Sequence, residues 1–198
     1  MKMPTERIRE EISQSGLISF ARFMELALYC PETGYYEKKK DNVGRQGDFI
    51  TSVSVGSLFG ELLAFQFAEW LTNLPGERIQ IVEAGAHDGK LATDVLCWLA
   101  KHRPTLFQRV EYVILEPSAR RRVWQEEHLR EFGQKVRWLD TTLESHVSEF
   151  NGIVFANELL DALPVRRIGW SAAKRNWFEW GVTSAAEKLI GEDDAVEF

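Results

Sequence analysis

The sequence predicts an α/β fold built around a Rossmann-like parallel sheet. A short run of β-branched residues, Ile79, Ile81 and Val82, is typical of a strand buried in a sheet. Glycines then bracket a tight turn, and from Lys90 onward apolar residues recur at helical spacing. A strand, a glycine turn and a helix in this order form the nucleotide-binding opening of a Rossmann-like unit.

Charges in the turn indicate which nucleotide it would accept. Glu83 ends the strand and Asp88 lies inside the loop, while Gly85 and Gly89 complete a Glu-x-Gly-x-x-x-Gly spacing. A dinucleotide site rests its pyrophosphate on the helix N-terminus, where carboxylates would repel it. Two acids favour a cationic ligand without phosphate, and S-adenosylmethionine has this chemistry. On the pattern alone, an ordinary structural turn is an equally good interpretation.

The second and third predicted strands each end at an acid. Glu116 follows Val110–Leu115, at the position where such units hold ribose hydroxyls. Because Glu83 ends the preceding strand in the same way, a ligand role is the better interpretation of Glu116. Asp140 follows Val136–Leu139, near the expected adenine, although a loop or helix-cap acid explains it equally well.

A fourth predicted strand, Gly152–Ala156, is followed by the sequence NELLDALP. Ligands of open α/β sheets bind beyond the carboxyl ends of the strands. Asn157, Glu158 and Asp161 are therefore candidates for contact with the methyl donor or the acceptor. Turn and cap roles remain open for Asn157 and Asp161.

The region before the sheet predicts helices. Pro4 suits the first turn of a helix that Gly16 ends, and Ser19 can cap the next helix. Thr51 and Ser52 precede a further apolar helix, and their residue types alone favour capping. The residues expected to face the core from that helix are Leu58, Leu62, Phe65 and Leu71.

These elements predict three segments. Residues 1–75 form a helical and loop-rich cap that includes the GDFITS sequence, and residues 76–164 form the cofactor-binding core. Residues 165–198 form a β-hairpin and an acidic tail.

Composition excludes several classes of protein. The 198 residues carry a formal net charge of −6, which argues against a general nucleic-acid binder. No apolar stretch approaches the ~18–20 residues that a membrane span needs. Cys30 and Cys97 are expected to be buried free thiols in a reducing compartment, and the histidines lack metal-ligand spacing. With a polar, acidic N-terminus, a cytoplasmic protein without a metal is expected.

Taken together, the motifs resemble one known family along nearly the whole chain. The segments that carry the resemblance are PETGYY, GDFITS followed by LFGELL, VEAGAHDGKLATDVL, VILEPS and VFANELLDALPV. They occur in the order and spacing of the MidA-like family. Its members are class I S-adenosylmethionine-dependent methyltransferases, and the mitochondrial ones are complex I assembly factors known as arginine methyltransferases.

The resemblance implies a Rossmann-like methyltransferase core with an N-terminal helical cap. It implies S-adenosylmethionine as cofactor and S-adenosylhomocysteine as product, and it places GDFITS over the cofactor. Thr51 and Ser52 thereby become expected site residues. The other implied site residues are Glu83, Gly85 and Gly89 in the cofactor turn, Glu116 at the ribose, Asp140 near the adenine, and Asn157 and Glu158 at the methionine end or acceptor.

The chain departs from the family pattern in three places. The family turn usually reads Gly-Pro-Gly-x-Gly, whereas here His87 replaces the middle glycine. Val53 and Ser54 stand where the family usually has Pro-Glu. Family members are also longer, so the last sheet strands are expected to be missing.

Two functions follow from these expectations. The first is methylation of a protein arginine, with Glu158 and Asp161 orienting the guanidinium nitrogen. The alternative is a non-catalytic protein that binds the cofactor and acts in assembly or interaction. A dehydrogenase is disfavoured by Glu83, Asp88 and the absent Gly-x-Gly pair. An unfinished sheet would also expose an edge strand that invites homo-oligomerisation.

Overall fold

A computed structural model describes residues 3–31, 33–38, 51–140, 150–184 and 196–197. The part of GDFITS before Thr51 and most of the acidic tail lie outside these residues. The described residues form two compact units, one within Met1–Lys39 and Leu160–Phe198 and the other within Lys40–Leu159.

Both units mix helices and strands. In chain order the elements are α1 (Pro4–Ser15), β1 (Ile18–Ser19), α2 (Phe20–Tyr29), α3 (Tyr35–Lys38), α4 (Ser52–Val55), α5 (Leu58–Leu71), β2 (Ile79–Ala84), α6 (Lys90–His102), α7 (Pro104–Arg109), β3 (Val110–Leu115), α8 (Ala119–Leu129), β4 (Val136–Leu139), β5 (Gly152–Ala156), β6 (Ile168–Ser171), β7 (Asn176–Glu179), β8 (Gly181–Val182) and β9 (Val196–Glu197). Short 3₁₀ helices follow α8 and β5.

A parallel sheet of four strands organises the larger unit, in the order β4-β3-β2-β5. Its strands are registered so that their carboxyl ends align. Ala84 of β2 pairs with Leu115 of β3 and with Ala156 of β5, and Leu115 pairs with Leu139 of β4. The predicted α/β class is confirmed.

Helices α5 and α6 cover one face of this sheet. Phe67 and Leu71 of α5 are buried against Ile79 and Ile81 of β2, together with Leu96 of α6. Helix α5 therefore belongs to the core of the sheet unit, although the sequence division placed it in the N-terminal segment. The opposite face buries a smaller cluster of Val82, Val113 and Leu139.

The predicted inner face of α5 is wrong for three of its four residues. Leu71 is buried, but Leu58, Leu62 and Phe65 are 67%, 60% and 50% exposed. The helix is apolar on all sides, so its periodicity does not define one inner face. Small residues decide the contact instead, since a Cβ on Gly60 would lie 2.5 Å from the Asp94 Cβ of α6.

In the smaller unit, the predicted end of α1 and the predicted start of α2 are confirmed. Gly16 follows α1 with φ +81°, and the Ser19 hydroxyl accepts a hydrogen bond from the Arg22 N–H at 3.1 Å. Strands β6 and β7 form the predicted hairpin, and β9 pairs with β7. None of the helices in the described ranges is long and apolar enough to cross a membrane.

The two cysteines differ from expectation in one respect. Cys30 is buried as predicted, but Cys97 is exposed on α6. Its neighbours Leu96 and Leu99 fill the buried face of that helix. Cys97 therefore belongs to the opposite side, and the prediction of a buried thiol there is wrong.

Candidate functional site

Four predicted site residues lie along one edge of the parallel sheet. Gly85, Glu116, Asp140 and Asn157 each directly follow the last residue of a strand. Because those last residues are paired in register, the four positions are neighbours along the carboxyl edge. Strand ends of this kind are where open α/β sheets bind ligands.

The turn after β2 has left-handed backbone at three positions. Gly85, His87 and Gly89 have φ values of +74°, +47° and +87°. Such angles cost a residue with a Cβ about 1–2 kcal/mol and cost glycine almost nothing. The turn therefore has a backbone that suits glycine at the position of His87, and the departure from the family pattern introduces strain there.

Asp88 lies just before Gly89, the N-cap of α6. Its Oδ1 accepts a hydrogen bond from the Lys90 N–H at 3.0 Å and lies 3.7 Å from the His87 Nδ1. Burial raises the pKa of this carboxyl, but the nearby His87 ring and the hydrogen bond from the Lys90 N–H outweigh burial and lower it. An ionised acid thus takes up a donor that a phosphate would need, which disfavours a phosphate ligand.

Glu83 is buried under the turn, with 2% of its surface exposed. The Tyr112 hydroxyl donates a hydrogen bond of 2.7 Å to its Oε2. Burial raises the Glu83 pKa to about 7, the Tyr112 hydrogen bond opposes that rise, and the negative charge of Asp88 adds to it. Near neutral pH this carboxyl can therefore change its charge in response to a neighbouring cation.

Glu116 is equally buried but has more donors around it. Its Oε1 accepts from the Ser118 N–H at 2.9 Å, and its Oε2 accepts from Gln125 Nε2 at 3.1 Å. The Arg121 Nε lies 3.3 Å from Oε1. These contacts hold the carboxylate in one orientation at the end of β3, as an acceptor for the hydroxyls of a ligand would require.

The residues after β5 differ in conformation. Asn157 is half-buried, whereas Glu158 is exposed and has a left-handed backbone with φ +48°. Asp161 is exposed in the 3₁₀ helix Leu160–Ala162, which belongs to the smaller unit. Glu158 shares such a positive φ with His87 and Arg175, and strained backbone of this kind is concentrated at functional sites and in turns.

Thr51 and Ser52 begin α4 and do not end a strand. The Thr51 hydroxyl accepts from the Ser54 N–H at 3.2 Å, and the Thr51 N–H donates to the Ser54 hydroxyl at 3.0 Å. This reciprocal pair is a capping box, so Thr51 caps a helix as its residue type predicted. The helix it caps is the short α4 and not the apolar α5, and its partner is Ser54. Ser52 is exposed, and Asp140 at the end of β4 is exposed as well.

Sequence reasoning missed three residues that support the site, namely Tyr112, Gln125 and Trp138. A signal existed for two of them. Tyr112 lies on the same face of an apolar strand as Val110 and Ile114. A tyrosine buried there needs a partner for its hydroxyl. Gln125 lies four residues before the buried Leu129, on the same helix face. Among the described residues, no group of three or more His, Cys, Asp or Glu could hold a metal.

Comparison with known proteins identifies relatives of the chain. Residues 62–196 match a family described as "Putative S-adenosyl-L-methionine-dependent methyltransferase". The mitochondrial protein arginine methyltransferase NDUFAF7 homolog of Drosophila melanogaster is 31% identical over 82% of the chain and 41% of its own length. NDUFAF7 of Mus musculus is 30% identical over 85% of the chain and 43% of its own length.

A solved structure extends the comparison to the fold. A protein from Burkholderia thailandensis, crystallised with S-adenosyl-homocysteine, is 36% identical and superposes with a TM-score of 0.75. The alignment covers 91% of the chain and 46% of the bacterial protein, so the chain spans about half the length of these relatives. The fold is that of a class I methyltransferase, and the chain belongs to the MidA-like family of S-adenosylmethionine-dependent methyltransferases.

Proposed function

We propose that this chain binds S-adenosylmethionine at the carboxyl edge of its parallel sheet and acts in methylation of an arginine in a protein substrate. The observation that carries the proposal is the in-register edge that brings together the glycine turn and Glu116. The bacterial relative with bound S-adenosyl-homocysteine supports the ligand, and the names of the animal relatives support the acceptor.

The residues at this edge fit the cofactor by charge. Glu83 and Asp88 suit a sulfonium and an ammonium group, while the Asp88 contact with the N-terminus of α6 disfavours a pyrophosphate. When bound, S-adenosylmethionine supplies an electrophilic methyl group. The residues proposed to contact it are Thr51, Ser52, Gly85, Gly89, Glu116 at the ribose, Asp140 near the adenine and Asn157.

Acceptor chemistry is assigned to Glu158 and Asp161. A guanidinium needs carboxylates that orient its nitrogen, and both residues are exposed and follow β5 in the sequence. The variants Glu158→Gln and Asp161→Asn should each lower turnover while leaving cofactor affinity unchanged. Unchanged turnover in both variants, on an identified substrate, would remove these residues from the proposal.

Calorimetric titration of the 198-residue chain with S-adenosylmethionine and S-adenosylhomocysteine tests the binding step. Both ligands should bind in the micromolar range, and NAD should not bind. Failure of both ligands to bind a folded sample would contradict the proposal.

Incubation with tritiated S-adenosylmethionine and arginine-containing proteins then tests transfer. Label on arginine supports the enzyme. Binding without any transfer would favour the alternative, a non-catalytic cofactor-binding protein that acts in assembly.

Oligomerisation is a separate part of the proposal. Strand β5 is the last strand of the sheet in the described part of the chain, and its Val154 is 50% exposed. An apolar strand at an edge offers unpaired backbone groups to a second copy. Light scattering that shows only monomer over the micromolar range would contradict this.

A cytoplasmic location also stays a prediction. The two cysteines are free thiols, which is typical of reducing compartments. The animal relatives are mitochondrial by name. Cell fractionation with an antibody to the chain distinguishes the two locations.

A further inference from the structure

Gln125 lies on α8, a helix rich in charged residues, yet none of its surface is exposed. Its side-chain amide lies between three groups from different parts of the chain. The Nε2 donates to the His87 carbonyl oxygen at 3.0 Å and to Glu116 Oε2 at 3.1 Å. The Oε1 accepts from the indole N–H of Trp138 at 2.8 Å. One side chain thus connects the glycine turn, the end of β3 and β4.

Trp138 fixes the orientation of this amide. An indole N–H can only donate, so the amide oxygen must face Trp138. The amide NH₂ must then face the two oxygens of His87 and Glu116. Both donor hydrogens are used, and each is directed to a different part of the proposed ligand site.

The turn needs such support because His87 holds a left-handed backbone with φ +47°. Strained backbone persists only where the surrounding structure determines it. Helix α8 contributes a second contact, since His128 Nδ1 lies 2.8 Å from the Asp88 carbonyl oxygen. The helix also approaches so closely that a Cβ on Gly89 would lie 3.2 Å from the Gln125 Cα.

We propose that Gln125 is a positioning residue that fixes the His87 turn and the Glu116 carboxylate relative to each other in the arrangement that binds the cofactor. It acts through those two groups and needs no contact with the ligand itself. The proposal rests on the proposed function, because it assigns ligand binding to the edge that Gln125 supports.

A double-mutant cycle tests this role. Gln125→Met keeps the volume and helix propensity but removes the donors, and it should weaken S-adenosylhomocysteine binding by about 10-fold or more. Trp138→Phe, which removes the orienting N–H together with part of a ring that packs on the core, should weaken binding by about 3-fold. Glycine adopts the left-handed backbone without strain, so His87→Gly should reduce the effect of Gln125→Met to about 3-fold or less.

Amide hydrogen exchange without ligand provides a second measurement. In Gln125→Met, the amides of residues 87–90 should lose protection, while those of β3 and β4 remain protected. The indole N–H of Trp138, identified among the seven tryptophans by Trp138→Phe, should also exchange faster than in the wild type.

The outcomes separate this inference from the proposed function. If the wild type binds no S-adenosyl ligand, the proposed function fails. Amide hydrogen exchange at residues 87–90 then still decides whether Gln125 fixes the backbone of the turn. Unchanged exchange at residues 87–90 overturns the inference, with or without ligand binding. Equal effects of Gln125→Met with His87 and with glycine at position 87 also overturn it, because the support would not depend on the strained turn. If Gln125→Met does not fold, Trp138→Phe is measured in its place.

Discussion

The ends of β2 and β3 carry the same kind of residue in different environments. Glu83 and Glu116 are both buried, at 2% and 1% exposure. Among the described residues, the side-chain hydrogen bond of Glu83 comes from the Tyr112 hydroxyl, whereas Glu116 has Ser118, Gln125 and the Arg121 guanidinium around it. Burial alone therefore does not decide what a strand-end acid does.

The difference teaches how a single sheet edge can provide two functions. Glu83 has a pKa of about 7, raised by burial, so it can become ionised when a cation arrives. Glu116 already has a cation at 3.3 Å and two hydrogen-bond donors, so it presents a fixed acceptor. Under the proposed function, the first environment would suit the charged end of the cofactor, and the second its neutral ribose.

The largest expected effect comes from Glu83→Gln. The folded protein binds the Glu83 proton more tightly than the unfolded chain, so wild-type stability falls as pH rises from 4.5 to about 7. At about 1.4 kcal/mol per pKa unit, this costs about 3 kcal/mol above pH 7. Glutamine carries no charge, so urea unfolding at pH 8 should show the variant more stable by about this amount, with little difference at pH 4.5.

Glu111→Gln is the matched control for this experiment. Burial raises the pKa of Glu111, but hydrogen bonds from Gln80 and Arg137 outweigh it and lower the pKa. The sign is therefore opposite, and the control should lose a little stability at pH 8. An equal loss in Glu83→Gln would show that Glu83 is ionised and stabilising in the folded protein.

The next largest effect is a loss of ligand affinity when the acid that follows β3 is replaced. Glu116→Gln removes the charged acceptor, and S-adenosylhomocysteine should bind about 10- to 100-fold more weakly, because hydrogen bonds to a charged group are worth about 1.5–3 kcal/mol. Calorimetry measures the change. Glu111 lies within β3, away from the carboxyl end that Glu116 follows, so Glu111→Gln should bind the ligand like wild type. Equal weakening in both variants would show a general effect of charge.

The smallest expected effect is a difference in stability between two alanine variants, and it tests the contact between the turn after β2 and helix α8. Gly89 and Gly76 have similar left-handed backbones, with φ +87° and +94°. A Cβ on Gly76 would have ordinary contacts from 3.6 Å, but one on Gly89 would lie 3.2 Å from the Gln125 Cα. Both alanine variants should lose about 1–2 kcal/mol through backbone strain. Gly89→Ala should lose about 1 kcal/mol more through this contact.

Urea unfolding of the two alanine variants measures that difference. Equal stabilities would mean that α8 yields at the turn without cost. The proposed support of the turn by α8 would then be weakened, because a helix that moves freely cannot hold the backbone of His87.

Much of the fold could be predicted from the sequence because its strands are short apolar runs with clear ends. The bounds of Val110–Leu115, Val136–Leu139 and Gly152–Ala156 match the structure. Once parallel strands are aligned, the residues after them must share an edge. Glu116, Asp140 and Asn157 were therefore placed correctly, although their roles remain proposals.

The rest depends on contacts that periodicity does not encode. On α5 apolar residues lie on all sides, and the face that packs inward carries the small residues Gly60, Ala64 and Ala68. Leu58 lies on the exposed side of the helix. The interactions of Gln125 join residues up to 38 positions apart in the chain. Such long-range polar contacts become visible only when the strands and α8 are assembled.

The most direct test of the account compares two ligands on one protein. S-adenosylhomocysteine and its 2′-deoxyribose analogue are titrated into the wild-type chain and into Glu116→Gln. If Glu116 holds the ribose, the analogue should bind the wild type about 10-fold more weakly, and this difference should shrink in the variant. Equal affinities of both ligands for the wild type would contradict the assignment of the ribose to the end of β3.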